Sequence, residues 1–310
     1  QIRCKYSVFL TFKKTFILRN YFCNLKLLNK AINKRHMKRI LVPTDFSEQA
    51  ENALKVAAQM AKKNGSQIYI LNSLELPSNP SNSGSSGAMP ESLFFIKLAE
   101  KHFEELLEKP YLEDLLIHEA IIGHGEIYND VSEVVKEKDI DLIIMGSHGI
   151  NGFMEMFIGS NTEKVVRTSK IPVLVIKNEH LDFKTDNFVY ATDFSEECKA
   201  PFKEAQKFAE MSNSSLNLLY VNTPSEFKTT QEINERIKDF VKDQNEENIN
   251  IHIYNDTSIE KGILNFASET NANLIGMGTH GRKGISHFFN GSVSEDLVNH
   301  ANMPVMTFKI

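Results

Sequence analysis

The sequence contains only three cysteines among its 310 residues, Cys4, Cys23 and Cys198, and it has no Cys-x-x-Cys pair. This shortage excludes a disulfide framework and a cysteine-rich zinc site, and a reducing cytoplasm is the expected compartment. An excess of positive charge is also missing, since 35 basic and 40 acidic residues give a formal net charge of −5. We therefore expect no nucleic-acid partner.

The sequence also lacks any uninterrupted apolar run near the ~20 residues that span a bilayer, so we expect no membrane partner. The apolar stretch YSVFLTFKKTFILRNYF is broken by Lys13, Lys14 and Arg19. Residues 1–36 contain nine Lys or Arg and no Asp or Glu. We interpret them as a misassigned extension upstream of Met37, and a basic arm or a membrane anchor is the alternative.

What the sequence does contain is an internal repeat. The segment ILVPTDFSE (Ile40–Glu48) matches FVYATDFSE (Phe188–Glu196), and DLIIMGSHG (Asp141–Gly149) matches NLIGMGTHG (Asn273–Gly281). The offset between the copies falls from 148 to 132 residues because copy one carries an extra Ser-, Asn- and Gly-rich stretch, Leu76–Pro90, which we predict to be a flexible surface loop. The repeat predicts two domains, residues 37–177 and 187–310, joined by a linker at residues 178–186.

Each copy alternates short apolar runs with amphipathic stretches. In copy one RILVP predicts a buried strand, after which Ser47 caps a helix that ends at Asn64 and Gly65. Four more strands are predicted at QIYILNS, IHEAIIG, DLIIMG and VLVIK, with helices between them. Alternating strands and helices predict a parallel sheet with helices on both faces. The expected fold class is therefore α/β, as two tandem doubly wound domains of five strands each.

Both copies carry a Gly-x2-Gly-x9-Gly-Ser pattern after the fourth predicted strand. It runs from Gly146 to Ser160 and again from Gly278 to Ser292, with almost wholly different residues between the glycines. In open parallel sheets, ligands bind beyond the carboxyl ends of the strands where the strand order reverses. The helix that follows Gly-Ser offers unpaired N–H groups, and glycine lets the main chain approach a phosphate closely. The pattern therefore predicts a phosphate-binding loop.

Each motif also has a purely structural alternative. Ser160 and Ser292 open SNTE and SVSE, which are spaced as capping boxes, and Thr44–Ser47 has the composition of a turn followed by a cap. The Gly-x-Gly-x-x-Gly spelling that begins at Gly276 is absent from copy one, which has Ile144 there, so a dinucleotide fingerprint is not favoured. We predict no catalytic residues and no metal site formed by the protein.

The segments PTDFSE, IIMGSHG and GSNTEKVV resemble the universal stress protein family, in particular its ATP-binding branch, over essentially all of residues 37–310. The resemblance implies the strand order 3-2-1-4-5 in each domain and a nucleotide (ATP, ADP or AMP) between strands one and four. Any Mg²⁺ would be held through the phosphates.

The same resemblance implies a cytoplasmic protein that binds ATP or AMP and acts in stress adaptation by signalling. A slow ATPase or adenylyl-transfer enzyme on this fold is one alternative, and a nucleotide-free interaction scaffold is another. Members of the family commonly dimerise through strand five. The two domains are therefore expected to form an intramolecular pseudo-dimer, and two chains are candidates for a homodimer.

The nucleotide-binding residues implied by the resemblance follow copy by copy. In copy one they are Pro43, Thr44, Asp45, Ser73, Met145, Gly146, Gly149, Gly159, Ser160, Asn161 and Thr162. In copy two they are Ala191, Thr192, Asp193, Val221, Met277, Gly278, Gly281, Gly291, Ser292, Val293 and Ser294. Val221 fits the usually aliphatic adenine-facing position, whereas Ser73 does not, and Ala191 replaces the usual Pro. Because Arg282 and Lys283 add positive charge to the second loop, we expect copy two to bind ATP more tightly.

Overall fold

The computed structural model describes residues 37–74, 91–115, 117–147, 159–242, 249–279 and 291–310. Several predictions concern residues outside these ranges: the extension at residues 1–36, the loop Leu76–Pro90, Gly149, Gly281, Arg282 and Lys283. The side chains of residues 291–295 also lie outside the description, although the helix that contains them is described.

Domain 1, which follows the first copy of the repeat, alternates strands and helices. Its strands are β1 (Arg39–Pro43), β2 (Gln67–Ser73), β3 (Ile117–Gly123), β4 (Leu142–Gly146) and β5 (Val173–Ile176). Its helices are α1 (Glu48–Asn64), α2 (Glu91–Leu107), α3 (Ile127–Glu137) and α4 (Ser160–Thr168), with a 3-10 turn at Pro110–Leu112. Helix α1 has the predicted ends, because the Ser47 hydroxyl accepts a hydrogen bond from the Ala50 N–H and Gly65 adopts a left-handed conformation.

Domain 2 repeats this order. Its strands are β6 (Asn187–Ala191), β7 (Ser215–Asn222), β8 (Ile249–Asn255), β9 (Leu274–Thr279) and β10 (Val305–Lys309). Its helices are α5 (Lys199–Ser212), α6 (Thr230–Val241), α7 (Ile259–Glu269) and α8 (Gly291–His300), with 3-10 turns at Glu196–Cys198 and Pro224–Glu226.

The ten strands form one sheet in the order β3-β2-β1-β4-β5-β10-β9-β6-β7-β8. Each half has the order 3-2-1-4-5 with parallel neighbours, so the predicted fold class is confirmed. The halves join where β5 and β10 pair antiparallel, with Met306 opposite Leu174. Two strands that would otherwise expose apolar edges are therefore paired with each other.

Reciprocal lysine contacts hold this junction together. Lys177 follows β5 and donates a hydrogen bond to the Asn299 carbonyl in the last turn of α8, while Lys309 at the end of β10 donates to the Arg167 carbonyl in the last turn of α4, 2.9 Å away. A cation next to the carbonyls of a helix carboxyl end is electrostatically favourable. Burial lowers the pKa of both lysines. The contacts repeat with approximate twofold symmetry, as in an isologous dimer interface.

The core consists of the central strands and the helix faces packed on them. Residues of β4 and β9 are buried throughout, as expected for strands covered on both faces. Among the helices that the structure describes, none is long and apolar enough to cross a bilayer. Because β1 pairs with β4 and β6 pairs with β9, the carboxyl ends of each pair lie side by side at one edge of the sheet.

Candidate functional site

The crevice of each domain lies where the strand order reverses. In domain 1, β1 pairs with β4 on one side and with β2 on the other, and the chain leaves β1 and β4 in opposite directions. In domain 2, β6 takes the same place between β9 and β7. Such a reversal opens a cleft beyond the carboxyl ends of the strands, because the two connections diverge to opposite faces of the sheet.

One wall of the domain 1 crevice is the loop from Thr44 to Ser47. The Thr44 hydroxyl accepts a hydrogen bond from the Phe46 N–H at 3.0 Å, and Asp45 Oδ1 accepts one from the Ser47 N–H at 3.0 Å. Phe46 is held at a φ of 64°, a conformation that a bulky side chain rarely adopts. The Phe46 ring packs edge-on against Phe103 of α2, which helps to stabilise that strained residue.

Domain 2 builds the same loop with the same bonds. The Thr192 hydroxyl accepts from the Phe194 N–H at 3.1 Å, and Asp193 Oδ1 accepts from the Ser195 N–H at 2.9 Å. Phe194 again has a positive φ, of 57°. In both domains the Thr and Asp side chains therefore form a turn, as the structural alternative predicted. That turn lies at the carboxyl end of the first strand of each domain.

Cys198 distinguishes the two loops, since it occupies the position that Ala50 has in domain 1. Its thiol donates a hydrogen bond to Asp193 Oδ1 at 3.2 Å. Burial, and then the neighbouring Asp193 carboxylate, raise the pKa of Cys198 to about 12. The thiol therefore stays protonated at neutral pH and acts as a donor to the Asp193 carboxylate.

The other wall is the start of α4. The first intrahelical hydrogen bond runs from the Glu163 N–H to the Gly159 carbonyl at 3.0 Å. The N–H groups of Ser160, Asn161 and Thr162 precede that bond and have no backbone acceptor within the part of the chain that the structure describes. Ser160 and Asn161 are exposed. A helix start of this kind attracts anions through its N–H groups and its dipole.

The capping-box alternative for Ser160 is wrong. The residue at the N-cap of α4 is Gly159, whose N–H donates to the Ser147 carbonyl at 2.7 Å, and Ser160 is the first residue inside the helix. A serine there cannot accept the N–H bonds that define a cap. Ser160 is exposed, and its hydroxyl makes no capping hydrogen bond to the described start of α4.

Thr162 has a structural role that the sequence analysis did not anticipate. Its hydroxyl is buried and donates to the Gly146 carbonyl at 2.8 Å. This bond ties the first turn of α4 to the end of β4. Its side chain therefore positions the helix start, and the residue offers a ligand only its backbone N–H.

The first glycines of the two patterns also have packing reasons. A Cβ on Gly146 would lie 2.7 Å from the backbone carbonyl of Gln49 in α1, whereas a Cβ on Gly278 would lie 2.9 Å from the Ile310 side chain and 3.6 Å from that of Pro201. Gly276 has no room either, since a Cβ would lie 2.5 Å from the Phe188 ring. The repeat therefore conserves spacing at Gly146 partly because α1 crosses the end of β4 closely.

The remaining predicted residues divide by exposure. Most of the predicted residues at strand ends have buried side chains, so they can offer a ligand only main-chain groups. These residues are Pro43, Ala191, Met145, Met277 and Val221. Ser73 at the end of β2 is half-buried. Gly291 is the first residue of α8, one residue before the helix start expected at Ser292, and the side chains of Ser292, Val293 and Ser294 lie outside the described residues.

Sequence reasoning missed Cys198 and a second residue, Asp130 in α3. The Asp130 carboxylate lies beside the end of β3 and accepts a hydrogen bond from the Gly125 N–H at 3.2 Å. Its equivalent in domain 2, at the 132-residue offset, is Gly262. A residue-by-residue comparison of the two copies beyond the glycine pattern would have exposed both differences. Within the described ranges, no cluster of His, Cys, Asp and Glu is arranged to hold a metal ion.

Comparison with known proteins defines the class to which this fold and these crevices belong. The sequence profile of the universal stress protein family matches residues 36–177 and again residues 184–309. The chain therefore belongs to the universal stress protein family, as a tandem form with two copies of the domain.

Curated relatives each correspond to about half of the chain. Universal stress protein MJ0577 of Methanocaldococcus jannaschii is 31% identical over 158 residues, which cover 46% of this chain and 96% of the relative. Universal stress protein YxiE of Bacillus subtilis is 29% identical over 150 residues, covering 45% of this chain and 98% of the relative. A single domain of this protein is thus similar to a whole relative.

A solved structure extends the likeness to both domains. The crystal structure of a universal stress protein from Archaeoglobus fulgidus superimposes with a TM-score of 0.65 at 24% identity, and the match covers 88% of this chain and 98% of that one. This likeness supports the fold of the whole tandem unit.

Proposed function

We propose that this tandem universal stress protein binds an adenine nucleotide, ATP, ADP or AMP, in its crevices and acts in stress adaptation in the cytoplasm by binding rather than by catalysis. The phosphates would rest on the start of α4 or α8, and any Mg²⁺ would be held mainly through those phosphates. The nucleoside would lie along the Thr-Asp loop. A homodimer of the tandem chain remains a prediction.

One observation carries the proposal. Ser160 and Asn161 are exposed at the start of α4, which follows β4, and β4 pairs with β1, whose carboxyl end leads into the Thr44–Ser47 loop. That loop is fixed by its own side chains before any ligand arrives, so binding costs little ordering there. The duplicated loop in domain 2 has the same hydrogen bonds.

Binding is favoured over catalysis because the polar side chains of the site make structural hydrogen bonds or are buried. Asp45 and Asp193 each accept a backbone N–H within their own loop, and Ser147 is buried. A nucleophile needs an accessible hydroxyl and a neighbouring base. Ser147 does not offer such an accessible hydroxyl, which argues against Ser147 as a nucleophile.

The test pairs two substitutions at Ser160 and the equivalent Ser292. Glutamate places a negative charge beside the helix start, which suits the helix dipole but repels a phosphate, so Ser160→Glu/Ser292→Glu should stay folded and lose ATP affinity by about tenfold or more. Ser160→Gln/Ser292→Gln is the matched control of equal size without the charge, and it should lose much less. Calorimetric titration with ATP measures both.

Mass spectrometry of the denatured, purified protein checks the same proposal independently, because it identifies any nucleotide that was released. Protein that carries no nucleotide and gives no heat with ATP or AMP would support the scaffold alternative. Steady release of ADP in the presence of Mg²⁺ would support the enzyme alternative.

A further inference from the structure

The two outer strands of the sheet differ in how well they are protected from further pairing. Strands β3 and β8 stand at the ends of the strand order, and each pairs with one neighbour within the residues that the structure describes. An edge strand exposes a row of N–H and C=O groups that can pair with another strand. Proteins commonly protect such an edge with charged residues, prolines or irregular pairing.

Strand β3 is protected in two ways. Glu119, in the first half of the strand, forms an ion pair with Lys138 at 2.5 Å. The pairing of β3 with β2 is also irregular, because the register shifts between Ile68 and Tyr69. A further strand laid along β3 would have to follow an irregular edge and bury a charge, and both requirements disfavour it.

Strand β8 has neither form of protection. Its sequence, INIHIYN, contains no Lys, Arg, Asp, Glu or Pro. All seven residues pair with β7 in an unbroken register, from Ile249 opposite Leu216 to Asn255 opposite Asn222. At the 132-residue offset, Ile251 stands where domain 1 has Glu119. Strand β8 is therefore a regular edge from which the charge found in domain 1 is missing.

The side chains of β8 leave an apolar strip along this edge. Ile251 is 39% exposed and Ile253 is 37% exposed. They lie on one face of the strand because successive residues alternate between faces. His252 and Tyr254, on the other face, pack against Phe266 of α7. Exposed β-branched residues of this kind are buried when a neighbouring strand supplies cross-strand partners.

We propose that β8 pairs antiparallel with β8 of a second copy of this chain, about a twofold axis that passes beside His252. An axis perpendicular to the sheet keeps each residue on its own face, so a residue must oppose one an even number of positions away. Centring on His252 is the register that pairs all seven residues. It places Ile251 of each copy opposite Ile253 of the other, so both exposed isoleucines gain an apolar partner.

Two features favour a second copy as the occupant of this edge. The other apolar edges, those of β5 and β10, are already paired with each other inside the chain. Pairing through β8 would give a twenty-stranded sheet whose outer strands are the two β3 strands, which are protected by Glu119 and the irregular register. Assembly therefore stops at two copies, as in an isologous dimer.

The central pair of the interface is compatible with close approach. Burial lowers the pKa of His252, so the two facing imidazoles are uncharged at neutral pH. A seven-residue strand is only about 23 Å long. Because stable complexes bury about 1,200–2,000 Å², an edge of this length should give a reversible dimer, with a dissociation constant on the order of micromolar.

Sedimentation velocity of the full chain over a range of micromolar concentrations tests the proposal. The wild type should form a dimer as its concentration rises. Ile251→Glu places the charge of domain 1 on the β8 edge and should weaken association by about tenfold or more. Ile251→Thr is the matched control, uncharged and also β-branched, and should weaken it much less. His118→Glu adds the same charge to an exposed position of β3 and should leave association unchanged.

A mixture of two variants tests the register and the identity of the partner. Ile251→Glu and Ile253→Lys should each be mainly monomeric, and mixing them should restore a dimer, because the new carboxylate of one copy faces the new ammonium of the other. Urea denaturation of each variant verifies that it is folded. Ile253→Lys alone also supplies the test if Ile251→Glu fails to fold.

Three results would overturn the proposal. A wild type that stays monomeric throughout leaves the β8 edge without a second copy, and binding of an extended segment from another protein would then be the explanation for its exposed isoleucines. A dimer that persists in Ile251→Glu forms through another surface. A mixture of the two charged variants that stays monomeric contradicts the His252-centred register. Since β8 is an outer strand, none of these results bears on whether the crevices bind a nucleotide.

Discussion

The loops that begin α1 and lead into α5 are nearly identical in their hydrogen bonds, yet the walls behind them are not. Thr44 and Thr192 accept from the phenylalanine N–H in the same way, and both phenylalanines have a positive φ. Behind the loops, Ala50 is replaced by Cys198, whose thiol binds Asp193. Duplication therefore preserved the backbone of the rim, and divergence occurred in the side chains that line it.

The cores of the two domains also differ in their side chains, and a large residue in one strand is matched by a small residue in the neighbouring strand. Domain 2 places Phe188 and Tyr190 on β6, and Gly276 on the neighbouring strand makes room for their rings. Domain 1 has Ile144 in place of that glycine. Because interiors are packed to crystal-like density, a large residue on one strand requires a small one on the next. The comparison shows that a glycine within the repeated segment can serve packing alone.

The largest expected effect is a difference in stability between alanine substitutions of the two strand-end glycines, Gly146 and Gly278. Gly146→Ala should destabilise domain 1 by about 1–3 kcal/mol, because its methyl group meets the rigid backbone of α1. Gly278→Ala should change the stability of domain 2 by less than about 1 kcal/mol, since the Ile310 side chain can move. Urea denaturation of the two variants provides the comparison. Equal losses in both would mean that α1 yields as easily as a side chain.

A smaller loss of stability is expected from substitutions at the junction of the domains. Because the lysine contacts there are reciprocal, the two equivalent substitutions should have equal effects. Lys177→Met and Lys309→Met keep the apolar stem and remove the charge from a helix carboxyl end, so each should cost about 0.5–1.5 kcal/mol. Thermal unfolding measures both, with Lys184→Met on the exposed linker as the control. A loss in only one variant would contradict the twofold symmetry of the junction.

The smallest expected effect is a pH dependence of stability, and it should differ between the outer strands β8 and β3. His252 on β8 lies 3.0 Å from Asn217 and packs against Phe266, and burial lowers its pKa. The folded state thus binds a proton less readily than the unfolded chain, whose histidine has a pKa of about 6.5. The neutral His252 side chain therefore adds to the free energy of unfolding above about pH 6.5. This stabilisation is lost as the pH falls through the lowered pKa of His252 in the folded state.

We therefore expect domain 2 to unfold at lower urea concentration at pH 5.5 than at pH 7.5, and His252→Gln to reduce that difference. Domain 1 has Ala120 at the equivalent place and serves as the internal control. The pKa of His180 on the linker is lowered by burial as well, so part of the difference should persist. An unchanged difference in His252→Gln would contradict the assignment to His252.

Much of the fold was predictable from local patterns. Ser47 caps the start of α1 and Gly65 caps its end, as predicted, and α4 follows the first glycine pattern, where a helix was expected. These features depend on neighbours a few residues apart. The N-cap of α4 was not predictable in the same way, because the spacing of SNTE fits a capping box that the chain does not form; the Ser147 carbonyl, thirteen residues before Ser160, determines where the helix begins.

The sequence alone determined that this chain is a duplicated doubly wound α/β protein, because strand and helix periodicity, caps and repeat spacing are properties of short segments. Only the tertiary structure decided that Gly146 must be small, that Cys198 restrains Asp193 and that Asp130 lies over Gly123. The first of these contacts joins residues almost a hundred positions apart, and the others depend on how a turn or a helix packs at the end of the sheet. Patterns within a segment cannot encode such approaches, since they arise from the packing of one element against another.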